Sequence, residues 1–549
     1  MTLTETARAW LDDDPDPRTR AELEAVLGRG DPTSLADLAD RFDGMLQFGT
    51  AGLRGAMGAG SNRMNRAVVI RAAAGLTAYL LEHHPAPRVV IGYDARHLSA
   101  DFARDTAAVV TAAGGEALLL ASALPTPVLA FAIRHLGAHA GVMVTASHNP
   151  PQDNGYKVYL GDGSQIVSPA DADIAAHIAR VATVLGVPRA DDGWHVLGDD
   201  VLDAYLRAVA SVVDDDSPRT LSVVHTPLHG VGRDVVLAAF ERAGFAPPYV
   251  VPSQAEPDPD FPTVAFPNPE EPGAIDAALD CARQLGADLV IANDPDADRC
   301  AVAVPDPAAE GGWRMLNGDE VGALLGAHLL DRGVDTDAVF ASSIVSGRLL
   351  AAMCRAAGVR HVQTLTGFKW IARVPGLRYG YEEALGYCVA PESVRDKDGV
   401  SAALLVAELA AGCRSQGRTL LDVLDDLART HGVHLSGQYS ARVDNLSLID
   451  DTMRRLRAAP PLTFAGVQVA GSADLLEGTA ELLPTDGLRY DLGDGSRVVV
   501  RPSGTEPKVK AYLEVVVHLR DGDLADARAQ SASRMAALRE AVRSAIGLN

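Results

Sequence analysis

Short apolar runs recur along the chain in a fixed order: an apolar run, a polar turn, an amphipathic stretch ending at Ala-Gly, then a second apolar run. The order appears three times, at 88–94 with 98–114 and 117–120, at 221–226 with 231–244 and 249–251, and at 338–343 with 347–358 and 361–363. Runs this short, bounded by turn residues, predict strands; the stretches between them, apolar every three or four residues, predict helices. Each predicted helix closes at Gly114, Gly244 or Gly358, residues that adopt a left-handed cap without a steric penalty. Strand, crossover helix and strand form a βαβ unit, so each copy predicts a parallel or mixed sheet with helices on its faces. Three copies at domain-sized spacing predict three related α/β domains.

The C-terminal region departs from this pattern. Residues 496–500 and 508–517 predict two strands around a turn, and 524–546 carries a long helical period, a smaller α+β arrangement. The first forty residues predict helices that cap the first domain. Polar or Pro/Gly-rich stretches at 214–218, 305–312 and 434–446 read as joints. The expected division is therefore 1–215, 216–322, 323–440 and 441–549, which suits 549 residues at roughly 150 per domain.

Charge narrows the function. The chain has 49 basic and 72 acidic residues, a formal net charge of −23. Nucleic acids and anionic membrane surfaces reward the opposite balance, so neither is an expected partner. An anionic substrate must be drawn in by a local basic cleft instead. The five cysteines are scattered with no paired spacing, as in reduced cytosolic proteins. Residues 1–10 lack a secretory apolar core, and no apolar run approaches the ~20 residues of a membrane span. The expectation is a cytoplasmic enzyme.

Three segments carry chemistry. Residues 145–150, Thr-Ala-Ser-His-Asn-Pro, follow an apolar strand and place Ser147 and His148 where α/β sheets meet ligands. A serine hydroxyl is a weak nucleophile without a base or a metal beside it. Residues 294–299, Asp-Pro-Asp-Ala-Asp-Arg, set Asp294, Asp296 and Asp298 at alternate positions just past another apolar strand. Such acids repel one another unless a cation neutralises them, and hard oxygens suit Mg²⁺. An EF-hand is excluded, because Arg299 and Pro305 stand where its Gly and Glu belong. Residues 501–505, Arg-Pro-Ser-Gly-Thr, join two strands and offer Arg501, Ser503, Gly504 and Thr505 to a phosphate. Two further turns offer substrate contacts: Glu382 and Glu383 between apolar residues, and Thr366, Gly367 and Lys369 at a strand-to-helix turn. Nucleophile, metal acids and phosphate cradle together describe phosphoryl transfer.

Over essentially the whole chain these motifs resemble the α-D-phosphohexomutase superfamily, the phosphoglucomutases and phosphomannomutases. The segment 145–150 looks like its phosphoserine loop, 294–299 its metal loop, 382–386 its sugar loop and 501–505 its phosphate loop. The resemblance implies four domains, three related α/β domains and a smaller α+β one. It implies a phosphorylated Ser147, and a Mg²⁺ held by a phosphoserine oxygen with Asp294, Asp296 and Asp298. It places Arg54, in the signature at 49–55, and Lys157, in Asn-Gly-Tyr-Lys, at the transferring group, with Arg299 offsetting charge and Lys397 joining the phosphate contacts. Either Lys157 or His148 exchanges the hydroxyl proton; for Lys157 to act as a base its pKa must fall.

The implied reaction interconverts a hexose 1-phosphate, glucose 1-phosphate foremost, and a hexose 6-phosphate. It passes through a hexose 1,6-bisphosphate that also serves as activator. The form of the metal loop resembles phosphoglucomutases, as do 366–369 and 396–399. Ala384 stands where the sugar loop usually carries a serine, which resembles the phosphoglucomutase-2-like branch. Phosphopentomutase, phosphomannomutase and glucose 1,6-bisphosphate synthase are the alternatives, with a metal-dependent phosphatase behind them. The expected partner is a phosphosugar, and the expected assembly a monomer or homodimer.

Overall fold

The computed structural model describes every residue except 1, 50, 51, 444, 446, 480, 481, 504–507, 520–522 and 549. The chain forms two compact units, one of Met1–Leu316 with Gly386–Ala411, the other of Asn317–Leu385 with Gly412–Asn549.

The first unit opens with three helices, Leu3–Asp13, Pro17–Arg29 and Pro32–Arg41, capped by Thr2, Asp16 and Asp31. They bury Ala7, Leu23, Val26 and Leu38 together with Ala59. Beyond them lies a mixed sheet in the order Leu53–Ala56, Asp153–Leu160, Ala140–Val144, Arg88–Tyr93, Glu116–Leu120 and His195–Leu197. Arg88–Tyr93 pairs in parallel with both Glu116–Leu120 and Ala140–Val144, while Asp153–Leu160 runs antiparallel. Ala140–Val144 is buried along its whole length. It therefore reads as unbroken apolar rather than alternating, as a strand covered on both faces does.

A second sheet follows in the order Trp313–Leu316, Ala301–Pro305, Leu289–Ala292, Val223–Thr226 and Tyr249–Val250. Its strands Val223–Thr226 and Tyr249–Val250 are parallel, joined through helix Gly232–Arg242.

The second unit holds a third parallel arrangement, with Val339–Ser343 between Arg360–Thr364 and Leu377–Glu382. It also holds an antiparallel sheet in the order Val433–Arg442, Lys508–Val517, Arg497–Pro502, Leu488–Leu492, Val467–Asp474 and Thr463–Phe464. Helices Ser447–Ala458 and Leu524–Ile546 contribute Met453, Leu456, Leu538 and Val542 to the core under that sheet. A separate apolar cluster of Ile344, Val345, Leu365, Val499 and Tyr512 joins the two sheets of this unit.

The repeat is thus real: Gly114, Gly244 and Gly358, which follow the three crossover helices, all have positive φ, at 87°, 80° and 70°. Two of the expected joints carry regular structure. Residues 305–312 form the turn of a hairpin, Ala301–Pro305 pairing antiparallel with Trp313–Leu316. Chain continues from it through an Asn317–Glu320 capping box into helix Gly318–Asp331, which a boundary at 322 divides. Residues 434–446 begin as strand Val433–Arg442, paired along its length with Lys508–Val517, so a boundary at 440 falls inside it. It is an edge strand, half exposed, and its polar solvent-facing positions imitate a linker. Among the described residues no helix is long and apolar enough to cross a membrane.

Candidate active site

The first unit brings Ser147 and the three aspartates together. Ser147 lies just beyond Ala140–Val144, and Asp294 just beyond Leu289–Ala292, both at the carboxyl ends of their strands. Ser147 Oγ donates to Asp294 Oδ2 at 2.7 Å and lies 3.2 Å from His148 Nδ1. The serine has one proton to give, so the shorter contact takes it and the imidazole N–H donates back to Oγ. Ser147 itself has φ 53° and Ala297 φ 52°. These left-handed residues turn each loop back on itself.

Asp294, Asp296 and Asp298 are buried, and each presents a carboxylate oxygen within 4.8 Å of the others. Lys157 Nζ donates to Asp296 Oδ2 at 2.7 Å and Asp298 Oδ2 at 3.0 Å, and Lys397 Nζ sits 3.0 Å from Asp298 Oδ2. Among the described residues, the buried Asp296 Oδ1 and Asp298 Oδ1 have no hydrogen-bond partner. Burial and repulsion from its two neighbours push the Asp294 carboxyl well above the usual range. Burial also raises Asp298, but Lys157, Lys397 and Arg299 outweigh it and hold that carboxyl down. Two lysines therefore do not satisfy three buried acids. Converging hard oxygens, two of them without partners, fit a divalent cation such as Mg²⁺.

Arg54 Nη1 reaches Asn149 Oδ1 at 3.3 Å, and Arg299 Nε lies 3.8 Å from Asp294 Oδ2. His148 is held well below its ordinary pKa by burial, then by the charges of Arg299 and Arg54, and so is neutral near pH 7. Burial would lower Lys157 as well, but Asp296 and Asp298 outweigh it and leave the pKa raised. In this arrangement Lys157 keeps its proton, and the fall required of a base is absent.

The loop of Asp294, Asp296 and Asp298 is clamped from three sides within its unit. Thr126 donates through N to Asp296 O at 2.9 Å and through Oγ1 to Asp296 Oδ2 at 2.6 Å. Asn293 Nδ2 donates to Arg299 O at 2.6 Å and is itself held by His225 Nε2 at 2.8 Å. Gly399 packs so closely that a Cβ there would lie 2.2 Å from Arg299 O.

The second unit carries the remaining candidates. Thr366 and Gly367 occupy the turn between strand Arg360–Thr364 and helix Phe368–Ile371, with Lys369 Nζ 5.8 Å from the Trp370 ring centroid. Glu382 ends strand Leu377–Glu382, so this acid pair sits at a strand end and not at a helix start. Ser343 Oγ and Ser346 Oγ both donate to Glu383 Oε2, at 3.0 and 2.9 Å. Burial and the charges of Glu382 and Asp319 push the Glu383 carboxyl up to about 7. Arg501 lies on strand Arg497–Pro502 and hydrogen-bonds Tyr512. Ser503 N donates to Lys508 O at 2.8 Å and closes the loop. Gly504 and Thr505 lie outside the described residues.

Residues 45–184, 203–310 and 317–431 match the phosphoglucomutase/phosphomannomutase alpha/beta/alpha domains I, II and III, and 442–540 the C-terminal domain. The chain belongs to the phosphoglucomutase/phosphomannomutase family. As a member it is a phosphomutase, an intramolecular phosphotransferase.

This phosphomutase is 48% identical to the "probable phosphomannomutase" of Haemophilus influenzae over 82% of its own length and 93% of that protein's. It is 34% identical to the phosphopentomutase of Mus musculus over 93% of this chain and 90% of that one. It is 35% identical to the phosphoglucomutase of Staphylococcus epidermidis, covering 86% of this chain and 90% of that one. Its fold resembles a family protein of Burkholderia thailandensis with a TM-score of 0.68 at 20% identity, over 91% of this chain and 98% of the other.

Several phosphomutase residues escape the sequence motifs. Asp94 and Arg96, Thr126 and Tyr512 contact the loops without belonging to them. Only Asp94 and Arg96 left a signal, polar residues at the end of the strand Arg88–Tyr93.

Proposed function

We propose that the enzyme moves a phosphoryl group reversibly between the 1-hydroxyl and the 6-hydroxyl of a hexose phosphate, glucose 1-phosphate foremost, by way of phospho-Ser147. The observation that carries this reading is the buried Ser147 Oγ, 2.7 Å from Asp294 Oδ2 in a loop of three converging carboxylates. Mg²⁺ held by Asp294, Asp296 and Asp298 would supply electrostatic stabilisation of the phosphoryl oxygens.

The chain's own residues orient and move protons. Asp294 fixes the direction of the Ser147 hydroxyl. Arg299 and Arg54 bring fixed positive charge to the transferring oxygens, where it counts most in a water-poor site. Neutral His148 accepts the hydroxyl proton at a ring nitrogen, and Lys157 returns one from its ammonium. Lys397, drawn to Asp298, acts as charge partner of the metal loop. Glu382 and Glu383 accept hydrogen bonds from sugar hydroxyls, and Thr366, Gly367 and Lys369 add further substrate contacts. Arg501 and Ser503, with Gly504 and Thr505, grip the phosphate that is not transferred. The hexose 1,6-bisphosphate formed after the first transfer reverses its orientation before Ser147 takes back the other phosphoryl group.

A second reading, phosphopentose as substrate, is favoured by the likeness to phosphopentomutase over 93% of the chain and by Ala384 in the sugar loop. The test is kcat/KM with Mg²⁺ and the matching bisphosphate for glucose, mannose and ribose 1-phosphates. A preference for glucose 1-phosphate supports the first reading, and a preference for ribose 1-phosphate the second. A preference for mannose 1-phosphate keeps the mutase chemistry and replaces the sugar. Turnover of none of them overturns the proposal.

A further inference from the structure

Arg96 is almost completely buried, 4% exposed, in the loop after strand Arg88–Tyr93. Its guanidinium makes four hydrogen bonds, all to backbone carbonyls around the serine turn. Nη2 donates to Ser147 O at 2.7 Å and Asn149 O at 2.5 Å; Nη1 donates to Pro150 O at 2.9 Å and Asp153 O at 3.1 Å. Asp94 steadies the arginine from behind. Its Oδ1 accepts from Arg96 N at 3.0 Å and its Oδ2 lies 3.4 Å from Arg96 Nε. Asp94 is in turn fixed by Ser99 Oγ at 2.7 Å and by its own N–H to Val144 O at 3.0 Å. The Phe261 ring covers the guanidinium, 4.9 Å from its centre.

This arrangement addresses a specific difficulty. Ser147 stands at φ 53°, a backbone region that a residue with a Cβ occupies only when its surroundings over-determine it. Four carbonyls converging on one cation provide that constraint. They also tie the serine turn to Asp153, the first residue of the strand that carries Lys157. A guanidinium presents its donors as a rigid planar fork, whereas an ammonium is a point charge with three rotatable donors.

We propose that Arg96 is a positioning residue for phosphoryl transfer, holding the Ser147 turn in its strained conformation and in register with Lys157. The proposal rests on the reading of Ser147 as phosphoryl carrier. It is tested on the full-length enzyme with Mg²⁺ and whichever of glucose, mannose or ribose 1-phosphate turns over fastest. Arg96→Lys keeps the charge and removes the fork. It lowers kcat, and the rate of phosphoserine formation from the matching bisphosphate, together by about 100-fold, as a displacement of roughly 1 Å does. KM stays within about twofold and Tm within a few degrees, a split that a general loss of structure does not give. Wild-type kcat in Arg96→Lys, or a rise in KM alone, overturns the proposal. If that variant does not fold, Phe261→Leu decides: uncovering the guanidinium lowers kcat about threefold at unchanged KM, the size of a cation–π contact, and an unchanged kcat overturns it. Ser147→Ala separates the two layers. Turnover in that variant removes the serine reading itself, whereas an inactive Ser147→Ala beside a fully active Arg96→Lys removes only the role of Arg96.

Discussion

The two units build their candidate residues in different ways. In the first, Ser147, Asp294, Asp296, Asp298, Lys157 and Lys397 are all buried, and each is bonded to another member of the group. In the second, Glu382 is buried, but Thr366, Lys369, Glu383, Arg501 and Ser503 are part-exposed on strand ends and turns. The contrast follows from the work proposed for each. Groups that stabilise charge in a transition state must already point the right way, because reorganising them during the reaction costs barrier height. Groups that grip a sugar and a phosphate must be reachable from solvent. Rigidity in the second unit lies one layer deeper, at Glu514. There the carboxylate accepts from Arg348 N and Nε at 2.7 and 2.5 Å and from His434 at 3.0 Å, and faces Arg497 across the sheet. Arg497 passes the constraint on by donating to Ser346 O at 2.6 Å, and Ser346 holds Glu383.

The comparison breaks most visibly at the serine. Ser147→Ala is expected to abolish phosphoenzyme, seen by intact mass, and to lower kcat by at least ~10⁴-fold, since only binding and attack by water remain once the nucleophile is lost. Asp296→Asn comes next, lowering kcat and the Mg²⁺ affinity measured by calorimetry together by about 10²-fold, since it removes one of three converging oxygens. Arg501→Ala sharpens the contrast, raising KM by about tenfold with kcat nearly constant, the signature of a gripping residue. An unchanged KM would remove Arg501 from substrate binding.

The smallest effect is one of stability against pH. Burial alone would raise Glu514, but its bond to His434 and the charges of Arg497 and Arg348 bring it down to about 2. A carboxylate depressed from an ordinary ~4.3 stabilises the fold above that pH, by about 3 kcal/mol, and the gain is lost as pH falls from there toward 2. Glu383, pushed up to about 7, has the opposite sign. It binds its proton more tightly in the folded state, so its contribution declines as pH rises from about 4.3 to about 7. Denaturant titrations of Glu514→Gln and Glu383→Gln across this range separate the two slopes.

The sequence made the first unit's candidate chemistry legible because each loop keeps its polar residues within a few positions, immediately after an apolar strand. The three aspartates share one six-residue segment, and helix Leu524–Ile546 has the limits its period predicts. What stayed hidden depends on distance along the chain. Arg96 meets its carbonyls 51 to 57 residues away, and Thr126 meets Asp296 across 170 residues. No local pattern encodes such pairings. The strand Val433–Arg442 was hidden for another reason: its solvent-facing half is polar, and only pairing with Lys508–Val517 makes it a strand.

The left-handed backbone at Ser147 also limits which hydroxyl can stand there. Threonine offers the same oxygen and the same nucleophilic chemistry. Its branched Cβ, however, is among the side chains least tolerant of positive φ. The replacement that looks most conservative on paper is therefore conformationally poor, and the choice of serine for the proposed phosphoryl carrier is made by the shape of a turn before reactivity is considered.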